Sequence, residues 1–237
     1  MSFRQRPLLD VAVSRNRSDA LSIFMSRVYA WMTVGILVTG LVSYFVGNNP
    51  QLVAKIFMNK PFFWMVVIVQ LLSVVYLSVM VNRISATAAA ITFVMYSGLT
   101  GLTLSMIFVL YSQASIASAF GATAISFGGL SLFGYITRRN LGPIGSFCMM
   151  GLFGLIGLML LSLFVTGLRS DAWQLTISVL GVIIFAGLTA YDTQRIKNLA
   201  VNSNAQFNQQ AIYGALILYL DFLNLFINLL RIMGDRK

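Results

Sequence analysis

Leu216-Ile-Leu-Tyr-Leu220-Asp221-Phe222-Leu-Asn224-Leu-Phe-Ile-Asn228-Leu-Leu-Arg231 is apolar enough to lie in a bilayer, yet it carries a carboxyl and two carboxamides. The stretch before it, Trp173 through Ala190-Tyr191-Asp192-Thr193-Gln194-Arg195, repeats the pattern with Asp192. The chain has six acidic residues, and these two sit in otherwise apolar runs. An ionisable group at the centre of a membrane helix costs roughly 2.5–3.5 kcal/mol on insertion scales, so it usually faces a bundle interior or a water-filled path. Gly214, Asp221, Asn224 and Asn228 fall at spacings that place them on one helix face. A helix with that face is expected at the centre of a bundle, wrapped by the others. Ser178, Gly181, Thr189 and Asp192 form a looser stripe on the preceding helix.

Composition agrees. Of 237 residues 58% are hydrophobic and 9% charged, against about 25% charged in soluble domains. The fold class expected is an all-α integral membrane protein, a seven-transmembrane-helix bundle with the last helix central. No room is left for a sizeable soluble domain. Cys148 is the one cysteine, which excludes an internal disulfide and a cysteine metal cluster. The absence of histidine removes the commonest transition-metal ligand and general base. The net charge of +10 is spread over short loops, so topology and anionic lipid explain it better than nucleic acid does.

Taken in order, residues 1–27 read as a basic cytoplasmic tail, partly disordered, and too unlike a signal peptide to be cleaved. Span one is expected over Val28–Val46, closed by Gly47-Asn-Asn-Pro50. Lys55 and Lys60 fall in the next loop, and span two covers Phe62–Val81. From Ile84 to Thr137 there is no charge. That run makes about 80 Å of helix against a hydrocarbon core of about 30 Å, so it must cross twice. The break is placed at Tyr111–Ser118, leaving spans over Ala86–Leu110 and Ser115–Ile136. Spans five, six and seven are expected over Ile144–Thr166, Trp173–Asp192 and Ala211–Leu230, with an Asn/Gln-rich loop at Asn198–Gln210. The transmembrane domain is then 28–231 and the tail 232–237. With the N-terminus inside, inner segments carry ten basic residues and outer segments six. That bias predicts a cytoplasmic N-terminus.

Small residues let membrane helices approach closely. Ser97, Gly101 and Ser105 in span three, and Gly151, Gly154 and Gly157 in span five, are expected at helix–helix contacts. Tyr96, Thr100 and Thr103 form a polar face that lines either a neighbour or a pathway. Two carboxyls close together in low dielectric cannot both ionise easily and titrate as one unit. A proton switch follows from that. Deprotonated, the pair repels unless a cation enters, and carboxylate oxygen favours hard cations such as Ca²⁺. The opposing reading is a pair of neutral carboxyls, hydrogen-bonded inside a static bundle. As spans are drawn above, Asp192 lies about 4–5 Å from the inner end of its helix and Asp221 about 15 Å from the outer end of its own. Contact between them needs span six to continue past Asp192, or span seven to tilt.

The elements Ala190-Tyr191-Asp192-Thr193-Gln194 and Leu220-Asp221-Phe222-Leu-Asn224-Leu-Phe226 resemble the Bax-inhibitor family. Tyr29-Ala-Trp31-Met-Thr33 and Tyr96-Ser-Gly98-Leu-Thr-Gly-Leu-Thr103 are also similar to it, and the likeness runs through nearly all the chain after residue 25. The short basic tail is similar to the bacterial branch, which implies the plasma (inner) membrane. The resemblance implies a seven-helix fold with a central last helix and a pH-sensitive calcium leak governed by paired aspartates, here Asp192 and Asp221. No motif anchors a role for Arg83. The tail lacks the acidic residues of some relatives, so regulation through it is not carried over.

The function expected is a Ca²⁺-permeable leak gated by protonation of Asp192 and Asp221, with Tyr191, Asn224, Asn228, Tyr96 and Thr100 lining the path. The partners are the lipid bilayer, Ca²⁺ and H⁺; no cofactor is called for beyond Ca²⁺ as the transported or weakly bound ion. The alternative is a regulatory subunit that binds a membrane protease or another membrane protein, with the acids structural. An enzyme is not expected. Intramembrane aspartyl proteases share the Tyr-Asp pair, but their second motif is Gly-x-Gly-Asp, whereas Asp221 follows Leu218-Tyr-Leu.

Overall fold

The structure, a computed structural model, describes the backbone of residues 6–162, 164–165, 167, 170–200 and 207–237, and the side chains of that set outside 6–18 and 200. Arg4, Thr166, Arg169 and residues 201–206 of the Asn198–Gln210 loop lie outside the described residues. The helices are α1 (Arg6–Gly47), α2 (Pro50–Met58), α3 (Lys60–Met80), α4 (Ala86–Leu104), α5 (Met106–Leu110), α6 (Gln113–Ile136), α7 (Gly142–Leu161), α8 (Asp171–Ala200) and α9 (Phe207–Met233). Among the described residues there is no β-strand, only an isolated bridge between Tyr111 and Arg236. Seven segments of the described residues are long and apolar enough to cross a membrane: Asp19–Gly47, Lys60–Met80, Ala86–Leu110, Gln113–Ile136, Gly142–Leu161, Asp171–Leu199 and Phe207–Met233.

Several boundaries differ from the sequence expectation, each for a local reason. Helix α1 covers Arg6–Gly47, so the described part of the basic segment read as a tail is helical and runs into span one without a break. Lys55 lies in the short helix α2, started by the Asn49 carboxamide, which accepts from the Gln51 and Leu52 amides. Span three is interrupted at Ser105, whose hydroxyl donates to Leu102 O and competes with the helical ladder. The turn to span four comes at Tyr111–Ser112, where the Ser112 hydroxyl caps α6 by accepting from the Ser115 amide. Helix α8 continues to Ala200, well past Asp192.

Helix α9 packs against α8, α1, α6 and α4 and is the most buried of the seven spans. Its large buried side chains Ile212, Leu216, Leu218, Tyr219 and Leu225 fill the interior. Phe93, Tyr96, Phe120 and Phe127 meet its aromatic rings edge-to-face, a geometry favoured by the ring quadrupoles. Helix α3 packs on α4 and α2, while α7 packs on α8.

Backbone approaches behave as small-residue packing predicts in most places. Gly101 lies against Val42 and Thr39 O, and the Ser43 hydroxyl donates to Gly101 O at 2.9 Å. In α7, Gly151 meets Ile184, but Gly154 and Gly157 face open space. Steps of three residues rotate by about −60° each, so the third glycine points some 120° away from the first. The faces of α7 that do seat on α8 use Gly145 against the Tyr191 ring and Cys148 against Gly187.

The C-terminal residues close the end of the bundle opposite the α8–α9 connection. Asp235 N donates to the Ser115 hydroxyl at 3.0 Å, and Lys237 N to Leu110 O at 3.0 Å. Arg236 reaches Asp171 at 3.3 Å. The tail thus ties α5, α6 and the start of α8 together.

Candidate functional site: two carboxyls in one membrane cavity

Two glycine contacts set the register between the antiparallel helices α8 and α9. A Cβ on Gly181 would lie 2.6 Å from Asn228 Cγ, and one on Gly214 would lie 3.0 Å from Ile196 Cγ2. Interpolating between these contacts puts Asp192 opposite Ile217 and Leu218. Asp192 and Asp221 are therefore offset by about one helical turn, ~5 Å along the axis. The continuation of α8 beyond Asp192 makes this pairing available.

Both carboxyls are buried, Asp192 at 7% exposure and Asp221 at 4%. Both line one cavity of about 640 Å³, bounded by α3, α7, α8 and α9. Arg195 lies at one end, where Nη1 is 3.8 Å from Asp192 Oδ1. Arg231 lines the cavity toward the other end. Asn224 and Asn228 line it between them. Each asparagine donates its Nδ2 to a carbonyl one turn back, Asn224 to Leu220 O and Asn228 to Asn224 O, both at 2.8 Å. Their Oδ1 atoms are thereby left as acceptors. Asp221 Oδ2 is buried with no hydrogen-bond partner. A buried polar atom without a partner costs about 1–3 kcal/mol, so this oxygen is poised to take a proton, a water or a cation. Carboxylate and carboxamide oxygens together are hard donors that suit Ca²⁺.

The remaining candidates lie elsewhere. Tyr191 presses its ring against Gly145 on α7 and borders a separate hollow with Gln194 and Asn198. Tyr96 and Thr100 are buried in α4 and do not line the carboxyl cavity. They belong to a hydroxyl cluster beside Tyr219. Gln70 donates to Thr100 Oγ1 at 3.0 Å, and Thr39 and Tyr219 share a 2.6 Å hydrogen bond. The polar face of span three is thus turned to neighbouring helices, as the packing alternative held; Thr103 alone reaches a cavity at the far end.

Sequence reasoning missed two groups. Tyr29 and Ser131 hydroxyls lie 2.6 Å apart, and Ser131 reaches Thr193 Oγ1 at 2.9 Å, which ties α1 and α6 to the residue after Asp192. Tyr29 and Thr193 each stand in a stretch that carries the family resemblance. Arg231 lining the cavity was legible only as a loop charge.

The profile of a family described as "Inhibitor of apoptosis-promoting Bax1" matches residues 21–237. The chain belongs to the Bax inhibitor family. Among relatives of the family, inner membrane protein YbhL of Escherichia coli (strain K12) is 44% identical over 221 residues, covering 92% of this chain and 93% of the relative. An uncharacterized protein of Borreliella burgdorferi is 40% identical over 233 residues, 97% of this chain and 99% of its own length. Uncharacterized protein YrjE of Lactococcus lactis is 38% identical over 224 residues, 92% and 93% respectively. The likeness covers both Asp-bearing helices and reaches the C-terminal tail.

Proposed function

We propose that this Bax inhibitor family protein is a Ca²⁺-permeable leak of the bacterial inner membrane, gated by protonation of Asp192 and Asp221. The observation that carries the reading is the partnerless Asp221 Oδ2 in a cavity shared with Asp192. A carboxyl pair one turn apart in a low-dielectric bundle resists double ionisation. A proton or a cation relieves that repulsion, and the two compete for the same oxygens. Acid therefore opposes Ca²⁺ entry, and flux rises with pH. Asn224 and Asn228 extend the donor oxygens from the pair toward Arg231, and with few protein ligands water completes the ion's shell, which suits passage over storage. The reaction is transport without chemistry, and the loop-charge bias supports a cytoplasmic N-terminus.

The test is indicator-dye Ca²⁺ flux into proteoliposomes across pH 6 to 8. Asp192→Asn or Asp221→Asn should change the flux and flatten its pH dependence. Variants indistinguishable from wild type at every pH would sink the proposal. No flux by the purified protein, together with capture of a stable membrane protease or other membrane partner, would instead favour the regulatory-subunit reading.

A further inference from the structure

Helix α9 is enclosed on every side but one. Between Ala211 and Leu230 its half-buried positions are Tyr213, Ile217, Leu220, Asn224 and Ile227, with Leu229 the one departure from a regular strip. Spacings of four and three carry the strip on to exposed Arg231, about 27 Å from Tyr213 along the axis. This nearly equals the ~30 Å hydrocarbon thickness. The strip faces the gap between α3 and α7, where Leu71, Met149, Ile156 and Met159 are 41% to 62% exposed. At the Arg231 end the cleft continues into a second cavity of about 610 Å³, which shares Met159, Ile227 and Arg231 with it. That cavity is lined by polar groups including Tyr111, Gln174 and Arg236. Arg231 makes no hydrogen bond or ion pair among the described residues.

We infer that this continuous hollow is the seat of one phospholipid of the surrounding bilayer, its phosphate on Arg231 and an acyl chain lying against Ile227, Leu220 and the α7 wall. A planar guanidinium matches phosphate oxygens with two parallel hydrogen bonds. An apolar gap open to hydrocarbon is filled by chains at no cost in water exposure. The guanidinium lies where the cleft leaves hydrocarbon, and Arg236 beside it is already held by Asp171 at 3.3 Å. The seat overlaps the proposed cation path at Asn224 and Arg231. An occupying chain keeps water from Asn224, so lipid and hydrated ion exclude each other there.

Full-length protein in mild detergent, stripped and then titrated with phosphatidylglycerol, is read by native mass spectrometry. Wild type should hold one lipid tightly. Arg231→Gln should bind it about tenfold more weakly, the factor expected for one lost charge-assisted contact. Ile156→Trp, which fills the cleft, should lose it, whereas Ile125→Trp on the exposed face of α6 should retain it. Photo-crosslinking of the unmodified protein with a diazirine-chain phosphatidylglycerol checks the site without a substitution, with adducts expected on 152–159 and 217–227. Adducts spread evenly over the outer surfaces of α3 and α7, or equal retention by the two tryptophan variants, would overturn the inference. So would lipid release by inorganic phosphate alone, or disulfide-linked dimers of Asn224→Cys, which would assign the cleft to a second copy.

Discussion

Gly134→Ala tests whether α6 holds α8 at the level of the carboxyl pair. A methyl group at Gly134 would overlap Ala190 O and lie 2.9 Å from the Ala190 carbonyl carbon, two residues before Asp192. The obstacle is backbone, so no rotamer change removes it. Either α6 moves off α8, or both helices bend. Overpacking of this kind costs about 1–3 kcal/mol, and contact with backbone puts Gly134 at the upper end. Replacing a helical glycine by alanine stabilises by roughly 0.5–1 kcal/mol, which offsets a fraction of that. Gly129, five residues earlier in the same helix, has nothing within 4 Å of its added methyl. Gly129→Ala should therefore show the gain alone. The two variants are expected to differ by about 3 kcal/mol, hence by roughly 6–12 °C in Tm for a chain of this size. Thermal unfolding of both proteins in the same detergent, followed by circular dichroism, measures the difference. Equal melting temperatures would refute the α6–α8 contact and the placement of Asp192 that depends on it.

Two further outcomes follow from other contacts. Cys148 is 4% exposed and faces Gly187, so a soluble maleimide should leave it unlabelled in the folded protein and modify it once detergent or heat opens the α7–α8 contact; rapid labelling of the native form would contradict that packing. Removing Asp235–Lys237 deletes the bonds of Asp235 N to Ser115 and of Lys237 N to Leu110 O, and should lower stability by about 1–2 kcal/mol, read as a Tm shift of a few degrees against Arg236→Ala, which loses an exposed ion pair to Asp171 and an exposed hydrogen bond to Gln174 and should change less.

That tail contact shows where residue types alone mislead. The basic character of Asp235-Arg-Lys237 gives no forecast of its docking, which combines backbone bonds to Ser115 and Leu110 O with contacts of the Arg236 and Lys237 side chains to Asp171, Gln174 and Phe108 O; no pattern within the tail names those partners. Tyr96 and Thr100 make the same point in the other direction. They read as a pathway face, but Gln70 and Tyr219 cover them. A polar residue inside a span needs a partner, and the sequence does not say whether the partner is water, an ion or another helix.

What the sequence determined on its own is the number of spans and the presence of two acids within them. Both follow from a local rule: hydrocarbon admits only long apolar helices, and any charge inside one stands out against its neighbours. Only the tertiary structure decided that the two acids line one cavity. Their separation depends on how far α8 runs beyond Asp192 and on the register that Gly181 and Gly214 impose against α9. Register is a sum of contacts between residues far apart in the chain, and no periodicity within one helix encodes it.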